Sequence, residues 1–471
     1  MSIITNADHK EYHRAIQMLG GQGSAWAYDV ETNGLDVRNG VIIGFGISNG
    51  LKGFYFCHKY WDDGKLKEAL SKEDCKKILM LLLSKQLIMW NGSFDVRFTY
   101  HYFGIDLTNS LWIEGMLSKH TIDEERPFAL KDVAVKVYGD QEKKEQQDLY
   151  ESIRANGGTK TEYYKADLGI MGKYCIQDCH LTYRLAQYYL TQMKEQNLEN
   201  FFFKDEVMPL YKEVTIPMEL LGIPLDIKNL ELQQTNIAKD ISRLEDQIQT
   251  LIAPLLKDVF EPWYLEKTYP PRRVGPFAQA LCKYADLPLP KTGSGAFSLA
   301  GKALESLEDS VYKKFLQGEG YLFISDITKI QQSMMMGYMF NLQSNHHMKK
   351  LFFDTLKETP LSKTEKGNPQ INDEFIDVMG MKYGWAKLLT EYNKLTKIKS
   401  TYIDRFLNES ENGVFYPSFF QHRTISGRYG SNLQQLPRPL EKGQASELVI
   451  KYNNEIRKFF IAGEAHVFID S

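Results

Sequence analysis

The first sixty residues alternate between apolar stretches and turn residues at the spacing of short β-strands. Asn-Gly pairs separate three stretches that are rich in β-branched and aromatic side chains, namely 25–31, 41–48 and 53–57. Such pairs between such stretches are typical of hairpins. The pattern therefore predicts a three-stranded antiparallel meander.

After residue 70, apolar residues recur every three or four positions, which is the spacing of one helix face. This pattern predicts a short strand at 87–90 and helices near 71–84, 94–103, 110–119, 129–138 and 171–194. Residues 141–165 are polar and contain Asn156-Gly157-Gly158, so we expect an exposed loop there. Strands followed by mixed helices and strands predict an α/β (α+β) domain, a sheet flanked by helices.

The second half of the chain is mainly helical in pattern. It predicts helices at 205–221, 227–251, 345–357 and 372–407, and a strand that begins within 413–418. The 253–335 stretch carries Pro270-Pro271 and Gly293-Ser294-Gly295, which predict an irregular segment with short helices.

Composition describes an ordinary globular protein. The chain has 471 residues, of which 43% are hydrophobic and 25% charged, which is enough for two to four domains. No apolar run reaches the length of a membrane span, and the polar N-terminus lacks a signal-peptide core, so we expect a cytoplasmic protein without a membrane partner. The five cysteines do not form a disulfide framework; Cys175 and Cys179 are interpreted either as zinc ligands or as packed helix residues, and no second Cys/His pair supports zinc.

A nucleic-acid partner would need a local basic surface, because the net charge is −3. Between 381 and 406 there are six Lys or Arg residues and only two acidic residues. This stretch is either a solvated helix face or a DNA contact.

Three acidic motifs follow one another in the first 180 residues. They are Asp29-x-Glu31, an Asn-x-x-x-Asp motif that ends at Asp95, and Tyr174-x-x-x-Asp178. Asp29 and Glu31 share one face of a strand, and Tyr174 lies one helical turn before Asp178. Four carboxylates suit two divalent ions about 4 Å apart, which together hydrolyse a phosphodiester, and a tyrosine hydroxyl can orient the attacking water.

These motifs resemble those of the DEDD superfamily of 3′–5′ exonucleases, in its tyrosine-containing subgroup, which implies a ribonuclease H-like fold. The resemblance implies that Asp29, Glu31, Asp95 and Asp178 bind two Mg²⁺ or Mn²⁺ ions and that Tyr174 positions water. It also places Leu35 against the terminal base and Asn91 near the substrate strand. The residues alone leave alternatives open, namely Leu35 as a core residue and Asn91 as a helix cap.

The rest of the chain resembles family A DNA polymerases, the DNA polymerase I type, in a phage-like arrangement. The motifs that carry the likeness are ELLGIPLD at 219–226, FNLQS at 340–344, LTKIKSTY at 395–402, TISGR at 424–428, NLQQLP at 432–437 and IRKFFIA at 456–462. The resemblance implies a 3′–5′ exonuclease domain at 1–200, the start of the polymerase domain at 201–252, an inserted segment at 253–338, a helical thumb at 339–410 and a partial palm at 411–471.

The same resemblance predicts the DNA contacts. The Arg428 guanidinium is a planar donor fork suited to minor-groove acceptors, which are similar for all base pairs. The predicted contacts are Thr424, Arg428, Asn432 and Gln434 in the primer–template grip, and Lys394, Lys397 and Lys399 on the thumb. The spacing from Arg428 to Asn432 is shorter than the family pattern.

We therefore expect the N-terminal part of a replicative DNA polymerase that proofreads a single-stranded 3′ end. Alignment from 460–462 places the first palm metal aspartate after Ser471, with Asp470 two positions early, so we expect no polymerisation by this chain alone. A second chain would then complete the palm and fingers. The alternatives are a stand-alone DEDD exonuclease acting on DNA or RNA, and a non-catalytic DNA-holding subunit of a split polymerase.

Overall fold

The computed structural model describes residues 1–21, 25–265 and 340–463. They form two compact units. Unit 1 comprises 1–223 and 414–435, and unit 2 comprises 224–413 and the residues from 436 onward. Most of the expected inserted segment, and the palm position around Asp470, lie outside the described residues. No described helix has the length and apolar character needed to cross a membrane.

Unit 1 is built on a six-stranded sheet with the order β1-β4-β3-β2-β7-β8. Its strands and a separate β5–β6 hairpin are β1 (Ser2–Ile4), β2 (Ala25–Thr32), β3 (Ile42–Ser48), β4 (Gly53–Cys57), β5 (Lys59–Asp62), β6 (Lys65–Glu68), β7 (Gln86–Met89) and β8 (Leu111–Glu114). β2 pairs antiparallel with β3, which pairs antiparallel with β4, so the predicted meander is confirmed. β2 is parallel to β7, which puts its C-terminal end in the middle of the sheet.

Helices flank this sheet, and two of the predicted stretches were wrong. The helices are α1 (Lys10–Gly20), α2 (Lys72–Leu82), α3 (Gly92–Phe103), α4 (Gly115–Ile122), α5 (Leu130–Tyr138), α6 (Lys144–Ala155), α7 (Leu168–Glu195), α8 (Val207–Leu210) and α9 (Ile216–Leu221). Residues 111–114 form β8 and not a helix, because pairing with β7 buries their apolar side chains. The expected 141–165 loop contains α6, in which Leu149 and Ile153 are buried on one face.

A glycine lets α7 approach the sheet closely. A Cβ on Gly46 of β3 would lie 2.7 Å from Cys175 Sγ and 2.8 Å from Cys179 Sγ. Both thiols are buried and form no disulfide, which agrees with their interpretation as packed helix residues. This contact holds the middle of α7 over β2 and β3.

Residues 414–435 belong to unit 1. Their strands are β10 (Val414–Phe415), β11 (Phe419–Phe420) and β12 (Gly430–Ser431), of which β11 and β12 pair antiparallel; β9 (Ile223–Pro224) comes earlier in the chain. The Phe419 amide donates to Glu219 Oε1 at 2.7 Å, and the Thr215 and Tyr429 hydroxyls are 2.9 Å apart. The predicted 205–221 helix is helical, although a π-helical turn at Phe201–Asp205 precedes it and another at Tyr211–Thr215 interrupts it.

Unit 2 is mainly helical. Its α-helices among residues 224–265, 340–413 and 436–463 are α10 (Ile227–Leu265), α11 (Asn345–Lys349), α12 (Asp373–Lys382), α13 (Gly384–Ile398), α14 (Asp404–Glu409) and α15 (Glu447–Glu455). α10 continues through 253–265, where an irregular segment was expected. The predicted 372–407 helix is broken at Tyr383, whose extended backbone separates α12 from α13. The Tyr452 hydroxyl donates to Asp240 at 2.7 Å and ties α15 to α10.

Candidate functional site

Three elements of unit 1 bring the predicted catalytic side chains together. β2 carries Asp29 and Glu31, the first turn of α3 carries Asp95, and α7 carries Tyr174 and Asp178. The α3 carboxylate is fixed directly to the strand, because Val30 N donates to its Oδ1 at 3.1 Å. The Asp29 and Glu31 carboxylates each interact electrostatically with those of Asp95 and Asp178, so the motifs form one site.

The site has a metal-ligand geometry at its centre. Ligand atoms of Asp29, Glu31 and Cys175 lie within 4.8 Å of one another. The Cys175 thiol is 3.7 Å from Asp29 Oδ2. Burial raises the pKa of this thiol well above its ordinary value, so it stays protonated and offers a weak hydrogen bond in place of a thiolate ligand.

Burial and mutual repulsion raise the pKa values of the carboxyls. Burial, followed by the Asp178 charge, raises the pKa of Asp29 to about 8. Burial and the Asp29 charge also raise the pKa values of Glu31 and Asp95 well above their ordinary range. Burial also raises the pKa of Asp178, and the positive charge of Lys131 opposes this shift.

These observations test whether the residues suit a divalent metal. Four buried carboxyls cannot all ionise side by side unless positive charge offsets them. The positive charge of Lys131 opposes the rise in the pKa values of Asp29 and Glu31, and its ammonium pairs with Asp178. Hard carboxylate oxygens around an excess of negative charge are the donor set of a divalent cation, so the residues fit such an ion.

Tyr174 is positioned beside the carboxylates by α7. It lies one turn before Asp178, and its side chain is almost fully buried. Burial and the negative charge of Asp178 raise the pKa of its hydroxyl well above the ordinary value. The phenol therefore remains a hydrogen-bond donor at every pH at which the enzyme would work.

Leu35 and Asn91, the two predicted substrate contacts, do not serve as a core residue and a side-chain helix cap, respectively. Leu35 is 86% exposed, so it is not a core residue. Asn91 has a left-handed backbone (φ 66°), and its side chain makes no capping hydrogen bond to α3. Both side chains are available to a ligand.

Glu114 at the end of β8 holds the turn that starts α3. Its Oε1 accepts from the Asn91 amide at 2.6 Å and the Gly92 amide at 3.3 Å, and its Oε2 accepts from the Leu117 amide. Burial raises the pKa of this carboxyl to about 7 despite those three donors. Sequence reasoning missed Glu114 because it assigned this stretch to a helix.

Glu114 should make the folded chain less stable as the pH rises. Its folded-state pKa of about 7 exceeds the ordinary value of 4.5 expected in the unfolded chain, so the folded state binds more protons between these values. The stabilisation is complete below pH 4.5 and is lost as the pH rises through 7, by about 3 kcal/mol. Glu114→Gln, which cannot ionise, should reduce the fall in melting temperature between pH 5 and 8 in EDTA. An identical fall in both proteins would contradict this assignment.

Two other residues of the site were also missed by the motif analysis. Lys131 enters from α5 and forms an ion pair with Asp178. Cys175 packs against Asp29. A lysine in the first turn of a helix, where the helix dipole disfavours positive charge, was the one available sequence signal for Lys131.

The predicted grip residues at 424–434 have different roles in unit 1. Arg428 is exposed and forms no ion pair with another described residue. Thr424 is engaged locally, because its hydroxyl donates to Arg428 O at 2.6 Å and its carbonyl oxygen lies 2.9 Å from His120 Nε2. Asn432 Oδ1 accepts from the Ser418 amide at 3.0 Å, whereas Gln434 is exposed.

The predicted thumb lysines lie on one stretch of unit 2. Lys394 and Lys397 are exposed on α13. Lys399 instead pairs with Asp404 at 2.7 Å, so part of its charge is neutralised. The basic stretch therefore offers Lys394 and Lys397 most directly to a polyanion.

Two protein-family models match different parts of the chain. The model of the 3′-5′ exonuclease family matches residues 3–194, and the model of DNA polymerase family A matches residues 316–471. A stand-alone exonuclease would not explain the second match.

Individual relatives agree with these matches. The DNA polymerase of Bacillus phage SP01 is 24% identical over 82% of this chain and 37% of its own length, and that of Escherichia phage T5 is 22% identical over 88% and 40%. Thermostable DNA polymerase I of Thermus aquaticus is 31% identical over 28% of this chain and 16% of its own length. The chain thus spans less than half the length of the phage relatives.

Solved structures of similar fold include one from a mycobacterial polymerase. It is the POL domain of Pol1 from M. smegmatis in complex with DNA primer-template and dNTP, with a TM-score of 0.57 and 15% identity, covering 99% of this chain and 59% of that one. The chain therefore combines a match to the 3′-5′ exonuclease family in its first half with a match to DNA polymerase family A in its last third.

Proposed function

We propose that this chain removes nucleotides from the 3′ end of DNA at the carboxylate site of unit 1. The observation that carries the proposal is the convergence of Asp29, Glu31, Asp95 and Asp178 with the protonated Tyr174. This is the donor set that phosphodiester hydrolysis requires.

The proposed cofactor is a pair of Mg²⁺ or Mn²⁺ ions held by Asp29, Glu31, Asp95 and Asp178. When bound, such ions stabilise negative charge on the attacking and leaving oxygens. The Tyr174 hydroxyl would hold the attacking water by a hydrogen bond. The Val30 amide keeps Asp95 pointed at Asp29, which preorganises the ligand set.

Exposed side chains near the site would hold the DNA strand. Leu35 would pack against the terminal base, and Asn91 would contact the backbone of the substrate strand. The exposure of both supports this assignment.

We further propose that the chain acts in DNA replication, as part of a proofreading polymerase. Its similarity to two phage DNA polymerases over most of its length supports this role. The proposed partners are a primer–template and its frayed single-stranded 3′ end, and a second chain that supplies further polymerase elements. The proposed place of action is the cytoplasm of an infected bacterium.

A primer-shortening assay tests the nuclease. The purified chain is incubated with a 5′-labelled primer–template with a mismatched 3′ end, with Mg²⁺ or with EDTA. Stepwise shortening that requires Mg²⁺ is expected. DNA binding without shortening would instead favour a DNA-holding subunit, and preference for RNA would contradict the DNA substrate.

Arg428 is expected to contribute to duplex binding. Its exposed guanidinium would donate to minor-groove acceptors, so Arg428→Ala should weaken primer–template affinity roughly tenfold. Cleavage of a short single strand should be unchanged. Fluorescence anisotropy with duplex DNA in EDTA measures the effect.

Arg423→Ala is the matched control for Arg428. The Arg423 guanidinium already stacks on Phe420 of its own segment, 3.3 Å from the ring centroid. Equal losses in the two variants would indicate a general electrostatic effect and would reject a specific role for Arg428.

A further inference from the structure

Lys131 is a buried cation at the edge of the carboxylate site. It is the second residue of α5, and its side chain is 6% exposed. Its ammonium forms an ion pair with Asp178 Oδ1 and lies 5.0 Å from the centroid of the Tyr174 ring. It thus touches both functional residues of α7.

No hydrogen bond to another described residue compensates the burial of the Lys131 ammonium. Neither Lys131 Nζ nor Asp178 Oδ1 makes a hydrogen bond to a third described group. A buried ammonium loses its hydration and is tolerated only where a negative charge offsets the loss. The first turn of α5 adds unfavourable dipole charge. The acidic site itself is therefore what stabilises Lys131 in its place.

We propose that Lys131 is a resident countercharge of the carboxylate site, which keeps Asp178 and Tyr174 in position without metal and competes with a divalent cation for Asp178. This inference rests on the proposed function, since it concerns the same site. Lys131 is a positioning residue: it acts on a proposed metal ligand and on the tyrosine, and no contact with DNA is required of it.

If Lys131 competes with the metal, removing its charge should destabilise the metal-free chain and strengthen metal binding. Lys131→Met keeps most of the apolar stem but removes the charge. Without metal, no positive charge then offsets the repulsion among the four carboxylates, so the melting temperature should fall. The more negative site should attract a divalent cation more strongly, and Mn²⁺ should bind roughly tenfold more tightly. A side chain that only fills space would not strengthen metal binding.

The test measures Mn²⁺ affinity by isothermal titration calorimetry and the melting temperature in EDTA and in saturating Mn²⁺. The full chain is used at pH 8, as wild type, Lys131→Met, Lys131→Arg and Lys136→Met. Lys136 lies on the same helix, is exposed and pairs with Asp123 at 2.8 Å, so it is the matched control. Lys131→Arg keeps the charge and should resemble wild type.

The expected result is tighter Mn²⁺ binding by Lys131→Met, with a melting temperature that is lowered in EDTA and recovers in Mn²⁺. Unchanged or weaker Mn²⁺ binding would overturn the proposal. If Lys131→Met does not fold, Lys131→Gln and Lys131→Arg decide it, because only the neutral variant should bind Mn²⁺ more tightly.

The outcome separates this inference from the proposed function. If the wild-type chain shortens primers with Mg²⁺ but the variants bind Mn²⁺ equally, the nuclease proposal stands and the role of Lys131 is rejected. If the affinities change as expected but no primer is shortened, Lys131 has its assigned role at a metal site that is not a nuclease.

Discussion

Asp29→Ala is expected to lower primer shortening on the order of a thousandfold. Asp29 is central to the site. Its carboxyl lies near the Cys175 thiol and interacts electrostatically with Glu31, Asp95 and Asp178. Its loss removes one carboxylate from every arrangement of two metal ions that these residues could hold. The remaining ligands cannot replace it, because each is fixed to a different element.

The same substitution should stabilise the metal-free fold. Burial and Asp178 raise the pKa of Asp29 to about 8, so ionising this carboxyl in the folded chain is unfavourable. Relative to an unfolded chain, its contribution to stability is present below pH 3.8 and is lost as the pH rises through 8. In EDTA at pH 8 the alanine variant should therefore melt no lower than wild type, which distinguishes lost chemistry from misfolding.

Asp62→Ala is the matched control for Asp29. Asp62 is an exposed aspartate of the β5–β6 hairpin that pairs with Lys67 at 2.5 Å. This variant should retain full primer shortening. Wild-type rates in Asp29→Ala, or an equal loss in both variants, would reject the assignment of the active site.

Glu219→Ala is expected to be the most destabilising single change in unit 1 that we consider. Glu219 is 2% exposed and accepts hydrogen bonds from the Phe419 amide at 2.7 Å and from the Ser93 hydroxyl. It also pairs with Arg97, 3.4 Å from Nε. Alanine would leave the Phe419 amide and the Ser93 hydroxyl without this acceptor and would remove the carboxylate beside the half-buried Arg97, at a cost of about 3 kcal/mol.

This loss should appear in structure and in activity. Ser93 and Arg97 lie on α3, the helix that carries Asp95, whereas Phe419 begins β11, and Arg428 lies in the connection between β11 and β12. Hydrogen exchange at the Phe419 amide and in the first turn of α3 should rise together, and primer shortening should slow. The denaturant midpoint gives the size of the effect, since a chain with two compact units need not unfold in one step.

Two variants define the role of Glu219. Glu219→Gln can still accept from Phe419 and donate to Ser93, so it should lose only the pairing with Arg97 and be much milder. Glu213→Ala changes an exposed residue of the same helical stretch and should have no effect. If Glu219→Ala matched Glu213→Ala, the buried network would contribute nothing to unit 1.

Local patterns predicted most of the elements that carry the site. The alternation of 25–57 predicted the meander because a strand with a buried face has a period of two. The errors arose where pairing outweighed local pattern: β8 is a strand because β7 lies beside it, and α6 is a helix because α7 buries its apolar face. Neither partner is visible from the local sequence.

The sequence by itself determined which carboxylates and which tyrosine form the candidate site, because Asp29 and Glu31 share a strand face and Tyr174 and Asp178 share a helix face. Only the tertiary structure decided what surrounds them. Lys131, Glu114 and Glu219 became identifiable through contacts with residues distant in the chain. It also turned Asn432 inward to hold Ser418 while leaving Arg428 exposed. Such contacts depend on burial and charge in three dimensions, which leave no periodic signal in the chain.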